Sequence, residues 1–356
     1  EFIESTIRSR AKLSYYAVDR YLNGHYDELM SHATPLEALY QVYRALRARR
    51  EEHELVMEDR QEYRWLLNDR KQIETIEPYE KLLSQKLVEE CMIAANRCAA
   101  GFLQQHEASG PYVSHPGFRQ DRLEETRKFL AMHTAEVVEE EPTSLEGYRT
   151  IMRRLSSESN SLPLRPMVNR LLNRAEITVN PGAHMGMSLQ SYTNCTSPLR
   201  KYLDFLVHLQ IKSILHGDEA RLVTQDMLDE LSQRIATTRA ATQEAERWLA
   251  GKFLDRVTAD DAVQFDAHIV HINSSGFNVR LDAYGLEGFV DLRKDPEKFS
   301  YDKWTASLTS TSRRFQLDQA IQLTYQGAEA AGQHVARFEL VEGCGLKPPK
   351  PDKGTE

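Results

Sequence analysis

The sequence predicts a mixed α+β chain, helix-rich over its first 257 residues and closed by a five-stranded all-β barrel. Three observations carry that expectation. Apolar residues recur at helical spacing through most of the first 255 positions. Between Arg256 and Asp261 that spacing stops and an alternation of period two begins. The final stretch, Lys347-Pro348-Pro349-Lys350-Pro351, is too rich in proline and charge to pack.

Taken in order, residues 4–22 read as a helix, with Ile7, Ala11, Tyr15 and Val18 on one face. Its Arg8, Arg10 and Lys12 read as solvated. Residues 34–53 follow, entered at Pro35, with Leu36, Leu39, Tyr40, Tyr43 and Leu46 as the apolar stripe; the run Arg47 to Glu54 reads as a solvated helix end. From Glu54 to Ile76 the pattern alternates through Leu55, Met57, Tyr63, Trp65 and Leu67, which predicts two strands with a turn near Asp59-Arg60. Residues 79–104 form a long helix whose alanine-rich middle lets another element approach closely. Glu89-Glu90 sit in that middle, either as paired core acids or as ligands for a sugar hydroxyl or a metal.

Residues 105–117 read as a loop, with helices near 119–132, 144–155 and 164–173. A short strand over 175–179 and a turn over 180–184 lead to an extended run, 185–192. A last long helix covers 224–255. Beyond it come strands at Ala267–Ile272, Phe277–Leu281, Leu286–Leu292, Ala320–Tyr325 and His334–Leu340. Five strands with a long excursion between the third and fourth match the OB barrel. Such barrels bind single-stranded nucleic acid by stacking bases on aromatics over a basic groove. Phe277, Phe289, Arg280, Arg293 and Lys294 are the candidates, with Phe289 equally suited to the core.

Composition sets bounds. The 356 residues are 41% apolar and 28% charged, ordinary for a globular chain large enough for more than one domain. No apolar run is long enough to span a membrane, and no secretory signal opens the chain. The four cysteines form no C-x-x-C pair, so free thiols in a reducing cytoplasm are expected. The net charge of −8 argues against indiscriminate nucleic-acid binding but leaves room for a recessed basic channel.

The most informative stretch is Tyr192-Thr193-Asn194-Cys195-Thr196-Ser197-Pro198-Leu199-Arg200-Lys201-Tyr202. Ser197 suits a helix N-cap, Pro198 the first helical position, and His216-Gly217 a C-terminal stop. Arg200 and Lys201 then fall in a first turn, where the helix dipole disfavours cations. Free N–H groups beside two cations make an anion site, with phosphate the natural anion. The competing reading has both side chains reaching surface carboxylates.

That stretch resembles the T-S-P-[IL]-R-[RK]-Y signature of the ribonuclease II and ribonuclease R (RNB) family, and is closer to bacterial exoribonuclease II. Ile7-Arg8-Ser9-Arg10-Ala11-Lys12-Leu13 with Tyr15 resembles that family's R-[AG]-[KR]-L-x-Y segment, and Leu87–Asn96 its V-E-E-x-M-[IL]-A-A-N helix. The resemblance implies an RNB-type catalytic portion over 1–257, an OB-fold RNA-binding domain of ribosomal-protein-S1 type over 258–343 and a disordered tail over 344–356. It implies hydrolysis of single-stranded RNA from the 3′ end, processively, to nucleoside 5′-monophosphates, by a cytoplasmic monomer without membrane contact that serves RNA degradation.

Roles follow by motif. Arg200 is the catalytic residue, clamping the scissile phosphate with a fork that suits phosphate oxygens. Lys201 is a neighbouring phosphate contact, Thr196 and Ser197 shape the phosphate loop, and Tyr15 and Glu89 read the ribose near the 3′ end. Two departures stand out. Met57 occupies the place of an aromatic base clamp. The clustered aspartates that hold Mg²⁺ in the family are expected upstream of this chain, which alone should then lack metal and activity. Two other readings remain at this point: a non-catalytic RNA-binding protein that retains the channel and barrel, and a helical scaffold with a protein-binding OB module.

Overall fold

A computed structural model describes residues 1–25, 29–56, 61–134, 141–156, 162–218, 223–259, 263–329, 334–341 and 343–347. In chain order the regular elements are α1 (Tyr15–Leu22), α2 (Ala33–His53), β1 (Glu62–Leu67), β2 (Ile73–Tyr79), α3 (Leu83–Gln105), β3 (Tyr112–Ser114), α4 (Leu123–His133), α5 (Leu145–Leu155), α6 (Leu164–Val168), β4 (Glu176–Thr178), α7 (Tyr202–His216) and α8 (Gln225–Val257). Then come β5 (Gln264–Asn273), β6 (Gly276–Leu281), β7 (Glu287–Asp291), β8 (Ser300–Asp302), β9 (Ser307–Thr309), β10 (Arg314–Gln316), β11 (Ala320–Glu329) and β12 (Val335–Leu340). They form two compact units: residues 1–59, 81–158 and 168–235, and residues 60–80, 159–167 and 236–356. No helix among the described residues is long and apolar enough to cross a membrane.

The first unit is built around α3. Ala99 and Ala100 are fully buried and pack with Val207 and Ile211 of α7, the close approach that small side chains permit. α1 docks on the start of α3, where Ser84 Oγ donates to the Tyr15 carbonyl at 2.7 Å. The expected helix over 4–22 is shorter than its pattern. Residues 1–14 carry no regular structure, Ile7 is 89% exposed, and Ser14 caps α1 by accepting the Ala17 N–H at 3.1 Å. An apolar stripe with nothing to bury against does not repay helix nucleation.

Two other local expectations change. β3, inside the expected loop, pairs antiparallel with β4. The run 185–192 is no strand: Met185–Met187 make one 3-10 turn, followed by Ser188 at φ +57°.

The second unit is organised around the barrel. Its strands follow the closed order β11–β12–β7–β6–β5, antiparallel except where β12 runs parallel to β7. The excursion between third and fourth barrel strands forms its own small sheet, β10–β9–β8. Phe265, Ile269, Phe277, Val279, Leu281, Val290, Leu323 and Phe338 fill the interior. Gly276 sits at φ +151° with Val290 O only 2.0 Å from where a Cβ would be, so the tight β5–β6 connection requires glycine.

The hairpin encoded at residues 62–79 belongs to this unit. Ile73 and Ile76 are part of the barrel's apolar cluster, and Tyr63 Oη donates to the Asp282 carbonyl at 3.1 Å. Its turn lies at Asn68–Gln72, where Asn68 Oδ1 accepts the N–H groups of Arg70 and Gln72 at 3.0 Å each. The expectation of a strand at Leu55 and a turn at Asp59-Arg60 is therefore corrected for Leu55 and Val56, which lie outside any strand. Met57 to Arg60 fall outside the described residues.

Candidate functional site

The signature stretch does not begin a helix at Ser197. Residues Ser197–Lys201 form a separate turn, in which the N–H groups of Arg200 and Lys201 both donate to the Ser197 carbonyl, at 3.2 and 3.0 Å. Lys201 is extended, with φ −124° and ψ 119°, and α7 starts one residue later. The Ser197 N–H is held by Asp204 Oδ2 at 2.8 Å, and Lys201 rather than Ser197 occupies the cap position of α7. The stop at Gly217, φ +69°, is as expected.

This geometry moves Arg200 and Lys201 off the helix and out of the unfavourable first turn. Both are exposed. The Arg200 guanidinium lies 3.5 Å from Ser197 Oγ. Among the described residues, neither cation pairs with a carboxylate. Among the described residues, the reading in which both reach for surface carboxylates is therefore not met.

Beside the turn is a pocket of about 340 Å³, lined by Arg47 and Arg50 of α2, by Lys86, Glu89, Glu90 and Asn96 of α3, and by Tyr192, Asn194, Thr196 and Lys201. The two adjacent glutamates have separate jobs. Glu90 is 3% exposed and accepts from Arg50 at 2.6 Å and Arg47 at 3.4 Å, the paired core acid. Glu89, one residue earlier, is half exposed on the pocket wall and pairs with Lys81. Arg50, only 7% exposed, overturns the expectation that the end of α2 is solvated throughout. Glu54 continues the network to Arg97 at 2.6 Å. Arg149 and Arg153 of α5 donate to the carbonyls of His53, Glu51, Glu52 and Glu54, closing the C-terminal end of α2.

Under Tyr192 lies a histidine pair. His184 stands edge-on to Tyr192 and stacks on His115, both with 5.7 Å between ring centroids. Burial, helped by His115, lowers the His184 pKa to about 4, so its ring is neutral near pH 7. Burial likewise pushes the Cys195 thiol up to about 11, which keeps it protonated and unreactive as a nucleophile.

The structure thus brings Glu89, Thr196 and Lys201 to one pocket. Arg200 and Ser197 are in the adjoining turn, and Tyr15, half exposed on α1, adjoins the start of α3 without lining the pocket. Arg47, Arg50 and Lys86 are pocket residues that sequence reasoning passed over. Their signal is weak, because the pairing that makes Arg50 structural crosses 40 positions to Glu90.

In the barrel, the stacking role assigned to Phe277 is corrected. Its ring is fully buried against Phe315, centroids 5.1 Å apart, and no base can reach it. Phe289 is the partly exposed aromatic. It stands opposite Asn278 on β6 and Arg337 on β12, with the Arg337 guanidinium 5.2 Å from its ring centroid. Arg280 and Arg293, the expected basic contacts, are each held by a neighbouring acid, Glu287 and Asp291.

A divalent metal would need a cluster of oxygen ligands. Among the described residues no three His, Cys, Asp or Glu side chains stand close enough to hold one, so these residues do not make up a Mg²⁺ site.

A family model described as "RNB domain" matches residues 1–217, well over half of the chain. The chain belongs to the RNB domain family. Among RNB relatives, a protein named Exoribonuclease 2 from Enterobacter sp. (strain 638) is 32% identical over 293 residues, covering 82% of this chain and 45% of the relative. The chain therefore spans less than half the length of that relative. Among solved structures, Mycoplasma genitalium RNase R in complex with ribose methylated single-stranded RNA superimposes with a TM-score of 0.73 at 18% identity, over 92% of this chain and 53% of that one. Yeast Ssd1, described as a pseudonuclease, superimposes with a TM-score of 0.57 at 16% identity, over 84% of this chain and 38% of that one. At those identities the likeness is one of fold.

Proposed function

We propose that this chain is the phosphate-clamping and RNA-threading part of a 3′→5′ hydrolytic exoribonuclease that degrades single-stranded RNA processively to nucleoside 5′-monophosphates. The observation that carries the reading is the pair Arg200 and Lys201, exposed on a hydrogen-bonded turn, without a carboxylate partner among the described residues, at the rim of a basic pocket. A guanidinium and an ammonium left in this way offer two charge-assisted contacts to phosphate oxygens. Arg200 holds the scissile phosphate and stabilises the charge that builds on it. Lys201 takes a neighbouring phosphate, Thr196 and Ser197 fix the turn, and Glu89 accepts from a ribose 2′-OH, which separates RNA from DNA. Tyr15 flanks the same strand. The barrel is a separate RNA contact, with Phe289 rather than Phe277 as the stacking platform.

Mg²⁺ would supply the attacking hydroxide and neutralise developing charge. Its carboxylate ligands are not present as a group among the described residues, and no step through the metal is assigned to this chain. A role in RNA turnover fits the relatives' name, Exoribonuclease 2.

The fold is also that of Ssd1, a pseudonuclease, and a second reading follows: an RNA-binding protein that keeps the pocket and barrel without turnover. The test is Arg200→Ala in the full-length protein, with oligoadenylate and Mg²⁺. Loss of 5′-monophosphate release with RNA binding retained supports the nuclease. Release at an unchanged rate sinks the role of Arg200, and no release from the unmodified protein favours the binder.

A further inference from the structure

The segment that presents Arg200 is held by buried side chains on two helices. Asn96 on α3 is 4% exposed and uses both ends of its amide. Its Nδ2 donates to Tyr192 Oη at 2.8 Å, and its Oδ1 accepts the Cys195 N–H at 2.8 Å. On the far side of the turn, Asp204 of α7 is 1% exposed and accepts the Ser197 N–H at 2.8 Å. Between them, His208 Nε2 lies 2.7 Å from the Cys195 carbonyl. The chain from Tyr192 to Ser197 is thus pinned from α3 at its entry and from α7 at its exit.

Asn96 lies two helical turns beyond Glu89, and both residues line the same pocket. One helix therefore carries the proposed ribose contact and also fixes the start of the phosphate turn. We infer that Asn96 is a positioning residue: it registers the Thr196–Lys201 turn against α3, setting the separation between the ribose contact at Glu89 and the phosphate contacts at Arg200 and Lys201. Asp204 completes the clamp from the opposite side. Leaving the Cys195 N–H without an acceptor in a buried site frees the turn from α3 while Arg200 itself is untouched. The inference rests on the phosphate-clamp reading for its consequence, but not for its geometry.

The test separates the two. Hydrogen exchange at the Cys195 amide reads the clamp directly. Asn96→Ala should raise that exchange rate by at least about tenfold, and Tyr192→Phe, which leaves the Cys195 bond in place, should not. Binding of a fluorescein-labelled oligoadenylate then reads the consequence. Asn96→Ala should weaken it about tenfold in the otherwise unmodified chain. In an Arg200→Ala/Lys201→Ala background the same change should cost less than about twofold, because a misplaced turn no longer carries the contacts.

Equal weakening in both backgrounds would make Asn96 merely structural and overturn the inference, as would unchanged Cys195 exchange. If Asn96→Ala does not fold, Asn96→Ser, which keeps a polar group in the site, takes its place in both measurements under the same criteria. Unaltered RNA binding by Arg200→Ala/Lys201→Ala would sink the phosphate reading instead, and the exchange result would still decide the clamp.

Discussion

Two sets of basic residues lie along the same pocket, and they are wired differently. At its base, Arg47 and Arg50 reach a carboxylate, Glu90, that is itself removed from water, and Arg97 continues the set through Glu54. On its rim, Arg200 and Lys201 are exposed and face no carboxylate among the described residues. The first set is a structural network in which every cation has a carboxylate partner. The second holds positive charge in reserve at a fixed place. Position relative to burial, not residue type, divides scaffold cations from ligand cations, and the barrel repeats the lesson with phenylalanines. Phe277 is core, whereas Phe289 faces outward beside Arg337.

The contrast can be broken by substitution. The largest effect is expected at Arg200: Arg200→Ala should lower turnover of oligoadenylate by roughly 10³–10⁵, the range for one arginine on a phosphoryl transition state, and leave unfolding free energy within about 0.5 kcal/mol. Arg50→Ala should do the reverse. It strands Glu90 without its main partner and should cost about 3–5 kcal/mol in chemical denaturation. Were Arg50→Ala to fold with full stability and lose RNA affinity alone, the division between the two sets would fail.

In the barrel, Phe289→Ala should weaken single-stranded RNA binding by about 1–3 kcal/mol with little loss of stability. Phe277→Ala should lower stability by about 3–5 kcal/mol instead. The smallest effect is a pH dependence. Unfolded, His184 takes up a proton near 6.5, and folded only near 4. Its contribution to stability is therefore complete above pH 6.5 and is lost as pH falls toward 4. Because the ring is only partly shielded, about 1–2 kcal/mol is at stake. His184→Gln should reduce the loss of unfolding free energy between pH 7 and pH 4.5, measured by chemical denaturation, by that amount.

Much of the framework is written locally. The five barrel strands follow from alternation, and the glycine stop of α7 from a single residue. The packing of α7 on α3 follows from alanines at 99 and 100. What local pattern does not carry is which face turns inward. Period two places residues 277 and 289 on opposite sides only once the β6–β7 register is known, with Phe277 opposite Val290 and Asn278 opposite Phe289.

The site divides in the same way. Arg200 and Lys201 stand out in a short motif. The separate roles of Glu89 and Glu90 do not, since an arginine on another helix decides them. The start of α7 at Tyr202 is not legible in the motif either: the N–H groups of Arg200 and Lys201 close a separate turn on the Ser197 carbonyl, and the helix begins only after it.

The hairpin of residues 62–79 has a consequence for how the protein is made. It is synthesised about 180 residues before Phe253 and the barrel strands against which Ile73 and Ile76 pack. During translation its apolar side must wait for a partner not yet made, and closing so long a loop is slow. A barrel produced without it leaves that part of its apolar surface in water. Shortened versions that begin near residue 258 should therefore be prone to aggregate, and supplying residues 60–80 as a separate peptide should restore their solubility.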